Sequence, residues 1–146
     1  MDSLRNNWDQ RYLSIVDVVS GFSKDPSTRV GALLIDPHNR PVSFGYNGLA
    51  RGLSDTDERL LDREAKLRLT IHAEQNAILN SGRDLHGCKM YCTHLPCSHC
   101  MSSIVQAGIS HVVCWEPSED FLSRWSIEEP LQVAKECNIN VTIVKR

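Results

Sequence analysis

After one stretch of helical periodicity and one hairpin, helical and extended segments alternate to the end of the chain, and this alternation restricts the fold more than any other feature. Parallel neighbouring strands need a crossover of a dozen or more residues, usually a helix lying on a sheet face. Trp8, Tyr12, Ile15, Val16 and Val19 recur at helical spacing. A first helix is therefore expected from Trp8 to Phe22, with Asn6 and Asn7 as candidate caps, ending before Ser23-Lys24-Asp25-Pro26. Val30 to Ile35 is a continuous apolar run, Asp36-Pro37-His38-Asn39 is a turn, and Val42, Phe44 and Tyr46 alternate with polar or small residues, which reads as a β-hairpin. Asn47 to Asp62 reads as a loop with a short helix from Asp57.

Three further helices are expected. The first covers Ala73–Asn80, with Ala77 and Ile78 inward and a stop at Ser81-Gly82. The second covers Cys97–Ala107, with Met101, Ile104 and Val105 on one face and Gly108 as a left-handed cap, and the third covers Pro130–Cys137, with Leu131 and Ala134 inward. Strands are expected over Lys89–Thr93, His111–Trp115 and Asn140–Val144. The sum is a single α/β domain over residues 1–146: a three-layer α/β/α sandwich around a mixed sheet of five strands.

Composition removes several classes. At 146 residues and 41% hydrophobic the chain can bury a core, and 16 Lys plus Arg against 18 Asp plus Glu give a net charge of −2. With that balance and only nine aromatics, three each of Trp, Tyr and Phe, no nucleic-acid partner is expected. No apolar run approaches the roughly 18 residues of a spanning helix, and MDSLRNNWDQ lacks the apolar stretch of a signal peptide, so a cytoplasmic protein with no membrane partner is expected. In that setting Cys88, Cys92, Cys97, Cys100, Cys114 and Cys137 are read as thiols or metal ligands and not as disulfides.

Two fragments carry chemistry: His72-Ala73-Glu74, and Pro96-Cys97-Ser98-His99-Cys100, whose Cys97 lies 25 positions after His72, each opening a helix. Cys97 and Cys100 lie three residues apart in a first turn, hence on one side, where free amides and the helix dipole favour thiolates. If the two helix starts face each other, one imidazole and two thiolates fill three corners of a tetrahedron and leave the fourth for water, a catalytic arrangement of zinc. Zinc in such a site brings the pKa of water toward about 7. Glu74 cannot share the ligand direction of His72 two residues earlier, so it is read as the proton shuttle beside the attacking water. A closed four-thiolate site from Cys88, Cys92, Cys97 and Cys100 is the bland alternative, although the spacings do not match a zinc ribbon. His86, His94, His99 and His111 are not expected to bind metal, and Cys114 and Cys137 read as buried apolar positions.

The two fragments resemble the H-x-E … P-C-x-x-C signature of zinc-dependent deaminases. Together with Ser23-Lys24-Asp25-Pro26-Ser27, Val30-Gly31-Ala32, Gly45-Tyr46-Asn47-Gly48, Gln75-Asn76-Ala77-Ile78 and Gln106-Ala107-Gly108-Ile109, they make the chain similar to deoxycytidylate (dCMP) deaminases of the cytidine deaminase-like superfamily. The resemblance implies a cytidine deaminase-like fold, one catalytic Zn2+ per chain, and hydrolytic deamination of dCMP to dUMP, a precursor of dTMP. It also implies that Asn47 hydrogen-bonds the sugar and that backbone groups at Ala73 and near Leu95 read the base. Activation by dCTP, inhibition by dTTP, and homo-oligomers, commonly hexamers, belong to the same implication, with Arg51 and Gly52 in the loop where an effector would sit.

Lys24 is the candidate for the 5′-phosphate, which needs compact positive charge at a rim, with Ser23 as a second donor and Arg29 as a weaker candidate. The charge-rich Asp55–Arg63 stretch departs from the family pattern, as does Trp115-Glu116-Pro117-Ser118-Glu119-Asp120, where relatives carry a tyrosine. Deaminases of dCTP, deoxycytidine or 5-modified dCMP, a nucleic-acid deaminase and a non-catalytic zinc module are the alternative readings.

Overall fold

The computed structural model describes residues 7–146; Asn6, one of the two candidate caps, lies outside them. The other cap forms: the Asn7 side-chain oxygen accepts the Gln10 amide at 3.2 Å and opens helix α1, Trp8–Ser20. The helix stops two residues short of Phe22, because the Gly21 and Phe22 amides turn back to the Val18 and Val19 carbonyls.

Strands β1 (Gly31–Ile35) and β2 (Pro41–Tyr46) make the hairpin. Then come β3 (Gly48–Leu49), α2 (Asp57–Leu61), α3 (Arg63–Leu69), β4 (Thr70–Ile71), α4 (Ala73–Ser81) and β5 (Lys89–Cys92). The chain continues through α5 (Ser98–Gln106), β6 (His111–Trp115), α6 (Glu119–Arg124), α7 (Glu128–Glu136) and β7 (Asn140–Val144). Helix α7 thus starts two residues before the expected Pro130. Helices α3 and α6 and the two-residue ladder β3–β4 were not expected; neither α3 nor α6 buries a residue, so neither writes an apolar stripe into the sequence.

Five strands form one sheet in the order β2-β1-β5-β6-β7. Strand β1 is antiparallel to both β2 and β5, while β5, β6 and β7 run parallel, joined by α5 and by α6–α7 as crossovers. Helix α1 covers one face, where Tyr12, Leu13 and Val16 pack on Leu33, Ile35, Tyr91, Val113 and Trp115. On the other face α4, α5 and α7 enclose Ala32, Leu34, Met90, Cys92, Val112 and Cys114 with Ala77, Met101, Ile104 and Ala134. Coverage on both faces explains why β1 reads as an unbroken apolar run: all five of its residues are buried. Each fully buried Leu or Ile in these layers contributes about 1.5–3 kcal/mol. The mixed five-stranded, three-layer α/β architecture agrees with the sequence reading.

Gly45 sets the distance between β2 and α4. A Cβ there would lie 2.4 Å from the Ala77 nitrogen and 2.5 Å from the Ala73 oxygen, so only glycine lets the strand seat directly on the helix backbone. Phe44 and Tyr46 therefore project to the opposite side, where both rings meet Phe22 and remain partly exposed. Cys137 is exposed at the end of α7, and not buried as its helix position suggested: it follows the last helical turn, beyond the inward-facing Ala134.

Candidate active site

Parallel strands β5 and β6 end on the same edge of the sheet, and the chain leaves β5 through Thr93-His94-Leu95-Pro96 to start α5. His72 is the N-cap of α4 and Cys97 the N-cap of α5, both in extended backbone conformation. The helix starts face each other. Nδ1 of His72 lies 3.6 Å from Cys97 Sγ and 3.2 Å from Cys100 Sγ, and the three ligand atoms fall within 4.8 Å of one another. Tetrahedral zinc, with Zn–S near 2.3 Å and Zn–N near 2.0–2.1 Å, separates N and S ligands by about 3.6 Å. The donor set therefore fits zinc in both chemistry and spacing, and His72, Cys97 and Cys100 are positioned to bind the ion.

The local fold explains this convergence. The Gln75 side chain accepts the His72 amide at 3.1 Å, fixing the entry to α4, and the Asn76 amide reaches the His72 carbonyl at 2.9 Å. Asn76 also donates from its side chain to the Tyr46 carbonyl at 2.8 Å, which ties α4 to β2. Cys100 is buried, while Cys97 and His72 reach the surface. Charge is concentrated here: a hydrogen bond from Cys100, then one from His72, holds the Cys97 thiol down at about 3, whereas Cys100 is pushed up, first by its bond to Cys97 and then by burial. The pair behaves as one thiolate sharing a proton beside an imidazole, the environment a divalent cation replaces protons in.

Glu74, only 5% exposed, sits one step inside α4, where burial raises its pKa to about 7. A carboxyl with such a pKa is chemically able to accept or release a proton near neutral pH. Among the described residues the metal-capable cluster contains no other side chain. Cys88 and Cys92 are buried in the apolar layer under α4 and α5. His94 pairs with Thr93 Oγ1 at 2.8 Å and packs on Phe121, His111 pairs with Thr142 Oγ1 at 2.7 Å, and His86 pairs with Asp84.

The remaining sequence candidates separate into two groups. Ala73 and Leu95 are buried beside the ligands, and Ala73, as first residue of α4, has an amide without an intrahelical acceptor. Asn47 is buried at the end of β2; its side-chain oxygen accepts the Val30 amide at 2.8 Å and its NH2 donates to the Thr28 carbonyl at 2.9 Å. Ser23, the second phosphate candidate, is buried, and its hydroxyl donates to the Asn47 carbonyl at 2.8 Å. Lys24 stands at the surface with its side chain 71% exposed, paired to Asp55 at 2.9 Å. Lys66, which the sequence did not single out, reaches inward from α3 to Asp25 and Ser27. Nothing in its sequence neighbourhood distinguishes it from a solvated helix lysine.

An open histidine–cysteine–cysteine metal site with a buried glutamate beside it defines a zinc hydrolase-type centre on a three-layer α/β scaffold. The comparisons narrow this class. The family model for the cytidine and deoxycytidylate deaminase zinc-binding region matches residues 6–116, and the chain belongs to that family. It is 49% identical over 134 residues to an uncharacterized deaminase in the luxG 3′ region of Aliivibrio fischeri, covering 90% of this chain and 86% of that one. It is 39% identical over 114 residues to mouse deoxycytidylate deaminase, covering 73% of this chain and 63% of the mouse protein. The chain thus spans less than two thirds of the mouse protein's length. In fold it matches a dCMP deaminase from the cyanophage S-TIM5, crystallised with dCMP and dUMP, at a TM-score of 0.75 and 22% identity over 99% of both chains.

Proposed function

We propose that the protein hydrolyses dCMP to dUMP and ammonia in a single zinc-dependent domain. The observation that carries this reading is the His72–Cys97–Cys100 triangle with buried Glu74 beside it. Family membership and the 39% identity to mouse deoxycytidylate deaminase support the substrate. Bound zinc supplies Lewis acidity that makes water nucleophilic near neutral pH. Glu74 takes the proton of the attacking water, delivers it to the ring nitrogen of cytosine, and then assists departure of the amino group as ammonia. Its raised pKa, near 7, suits a group that must accept and release that proton in one cycle.

Backbone groups at Ala73 and Leu95 read the base. Asn47, with one N–H and one lone pair beyond its bonds to Thr28 and Val30, meets the sugar. Lys24 takes the 5′-phosphate in exchange for Asp55, at little cost because an exposed ion pair is weak. A homo-oligomer fits the partly exposed Phe22, Phe44, Tyr46 and Leu79 near the free β2 edge, and dCTP and dTTP remain the effectors that the resemblance implies, near Arg51. Six unpaired cysteines suit a reducing cytoplasm, and among the described residues no helix is long and apolar enough to cross a membrane.

The test is ultraviolet-monitored turnover of dCMP, dCTP, deoxycytidine and CMP side by side, with and without dCTP or dTTP. The expected result is the highest kcat/KM on dCMP. Equal efficiency on deoxycytidine would remove the Lys24 assignment, and no turnover of any of the four would overturn the reading.

A further inference from the structure

Neither α2 nor α3 buries a residue; the 50–69 segment is rooted in the β3–β4 ladder and makes polar contacts to the rest of the domain through Arg51, Asp55 and Lys66. The innermost contact belongs to Lys66, whose Nζ donates to Asp25 Oδ1 at 3.2 Å and to Ser27 Oγ at 3.1 Å. The Lys66 and Asp25 side chains are only 16% and 10% exposed, in contrast to 71% for Lys24. Charges this shielded are tolerated because each answers the other, and stranding one of them is costly.

The pair is wired to Asn47. Asp25 Oδ1 also accepts the Ser27 and Thr28 amides at 2.8 and 3.1 Å, which folds the 25–28 turn around the carboxylate. The Thr28 carbonyl at the end of that turn holds the Asn47 NH2, and the Val30 amide holds the Asn47 oxygen. Ser23 closes the circuit, accepting the Asp25 amide at 3.2 Å and donating to the Asn47 carbonyl. A shielded carboxylate without its ammonium draws in water that competes for the Ser27 and Thr28 amides, which loosens the turn and with it the Thr28 carbonyl that holds the Asn47 NH2.

We infer that Lys66 is a positioning residue for nucleotide binding: through Asp25 it fixes the turn that orients Asn47, and so sets affinity without touching the reacting atoms. This rests on the proposed contact of Asn47 with the sugar.

Zinc-loaded Lys66→Met, Lys66→Arg and the double variant Lys66→Met/Asp25→Asn test it against wild type. For Lys66→Met the expected result is a KM for dCMP raised about tenfold or more, with kcat within about twofold and unchanged zinc content. Amide exchange at 25–30 and 47 should be faster. Lys66→Arg recovers most of the affinity, and so does the double variant, since asparagine keeps the oxygen that receives the Ser27 and Thr28 amides but strands no charge. An unchanged KM in Lys66→Met overturns the inference. So does a double variant that fails to recover, because Lys66 would then contact substrate directly. If wild type deaminates no deoxycytidine nucleotide, the functional reading fails by itself, and unchanged exchange protection in Lys66→Met still overturns the tether.

Discussion

Replacing Gly45 with alanine probes how the sheet sets the geometry of the catalytic helix. The new Cβ would lie 2.4 Å from the Ala77 nitrogen, 2.5 Å from the Ala73 oxygen and 2.8 Å from Asn76 Cβ, and ordinary contact begins at 3.4 Å. Two of these neighbours are helix backbone, so β2 and α4 must part by about 1 Å at the turn that carries His72 and Glu74. Overpacking of this kind costs about 1–3 kcal/mol, which for a chain of this size lowers Tm by about 3–10 °C. A displacement near 1 Å at the proton shuttle costs about 10²-fold in kcat. Thermal melting and single-substrate kinetics on zinc-loaded protein measure both. Gly48→Ala is the control, since its Cβ meets nothing within 4 Å, and its Tm should stay at the wild-type value. A Gly45→Ala protein with wild-type Tm and turnover would refute the claim that this strand–helix spacing positions the site.

Glu74→Gln should keep one zinc per chain by elemental analysis yet lose about 10²–10⁴-fold in kcat, because the amide cannot take the proton; retained turnover would move the shuttle elsewhere. At the hairpin turn, burial alone would raise the pKa of Asp36, but the Arg40 and His38 amides, each 2.9 Å from its Oδ1, and the charges of Arg40 and Arg83 hold it below the usual value. A depressed carboxylate stabilises the fold above its unfolded pKa, about 3.9, and that contribution fades as pH falls through the lower folded value. The Tm gap between wild type and Asp36→Asn should therefore be widest near neutrality and close below pH 4; a gap constant with pH would contradict the assignment. Chelation should abolish turnover and lower Tm, with zinc restoring both, since the ion holds two helix starts together.

What the sequence made legible follows the depth of burial. Helices α1, α5 and α7 each place an apolar stripe against the sheet, and strands β1, β5 and β6 are almost wholly buried, so their patterns are written in residue type. The ligands were legible for a different reason: His72, Cys97 and Cys100 sit at helix starts where backbone geometry makes short spacings equivalent to shared direction. Helices α3 and α6 left no trace because neither buries a residue completely, so neither needs an apolar stripe. Lys24 lies in the polar stretch before β1 and Lys66 in α3, and neither neighbourhood marks one lysine as shielded and the other as exposed. Only the folded turn at Asp25 decides which of them is drawn inside, and the sequence contains no local record of that turn's partner. The partner of Ser23 was illegible for a related reason: a hydroxyl has one proton, and which oxygen receives it depends on where residue 47 arrives in space.

X-ray absorption at the zinc edge of the purified, zinc-loaded protein, taken with metal stoichiometry and turnover of the same sample, tests the central claim most directly. The account predicts one zinc per chain in a fully active sample, bound by two sulfurs near 2.3 Å, one imidazole nitrogen near 2.0–2.1 Å and one light atom from solvent. A shell closed by a fourth protein side chain, or full activity in protein free of metal, would contradict it.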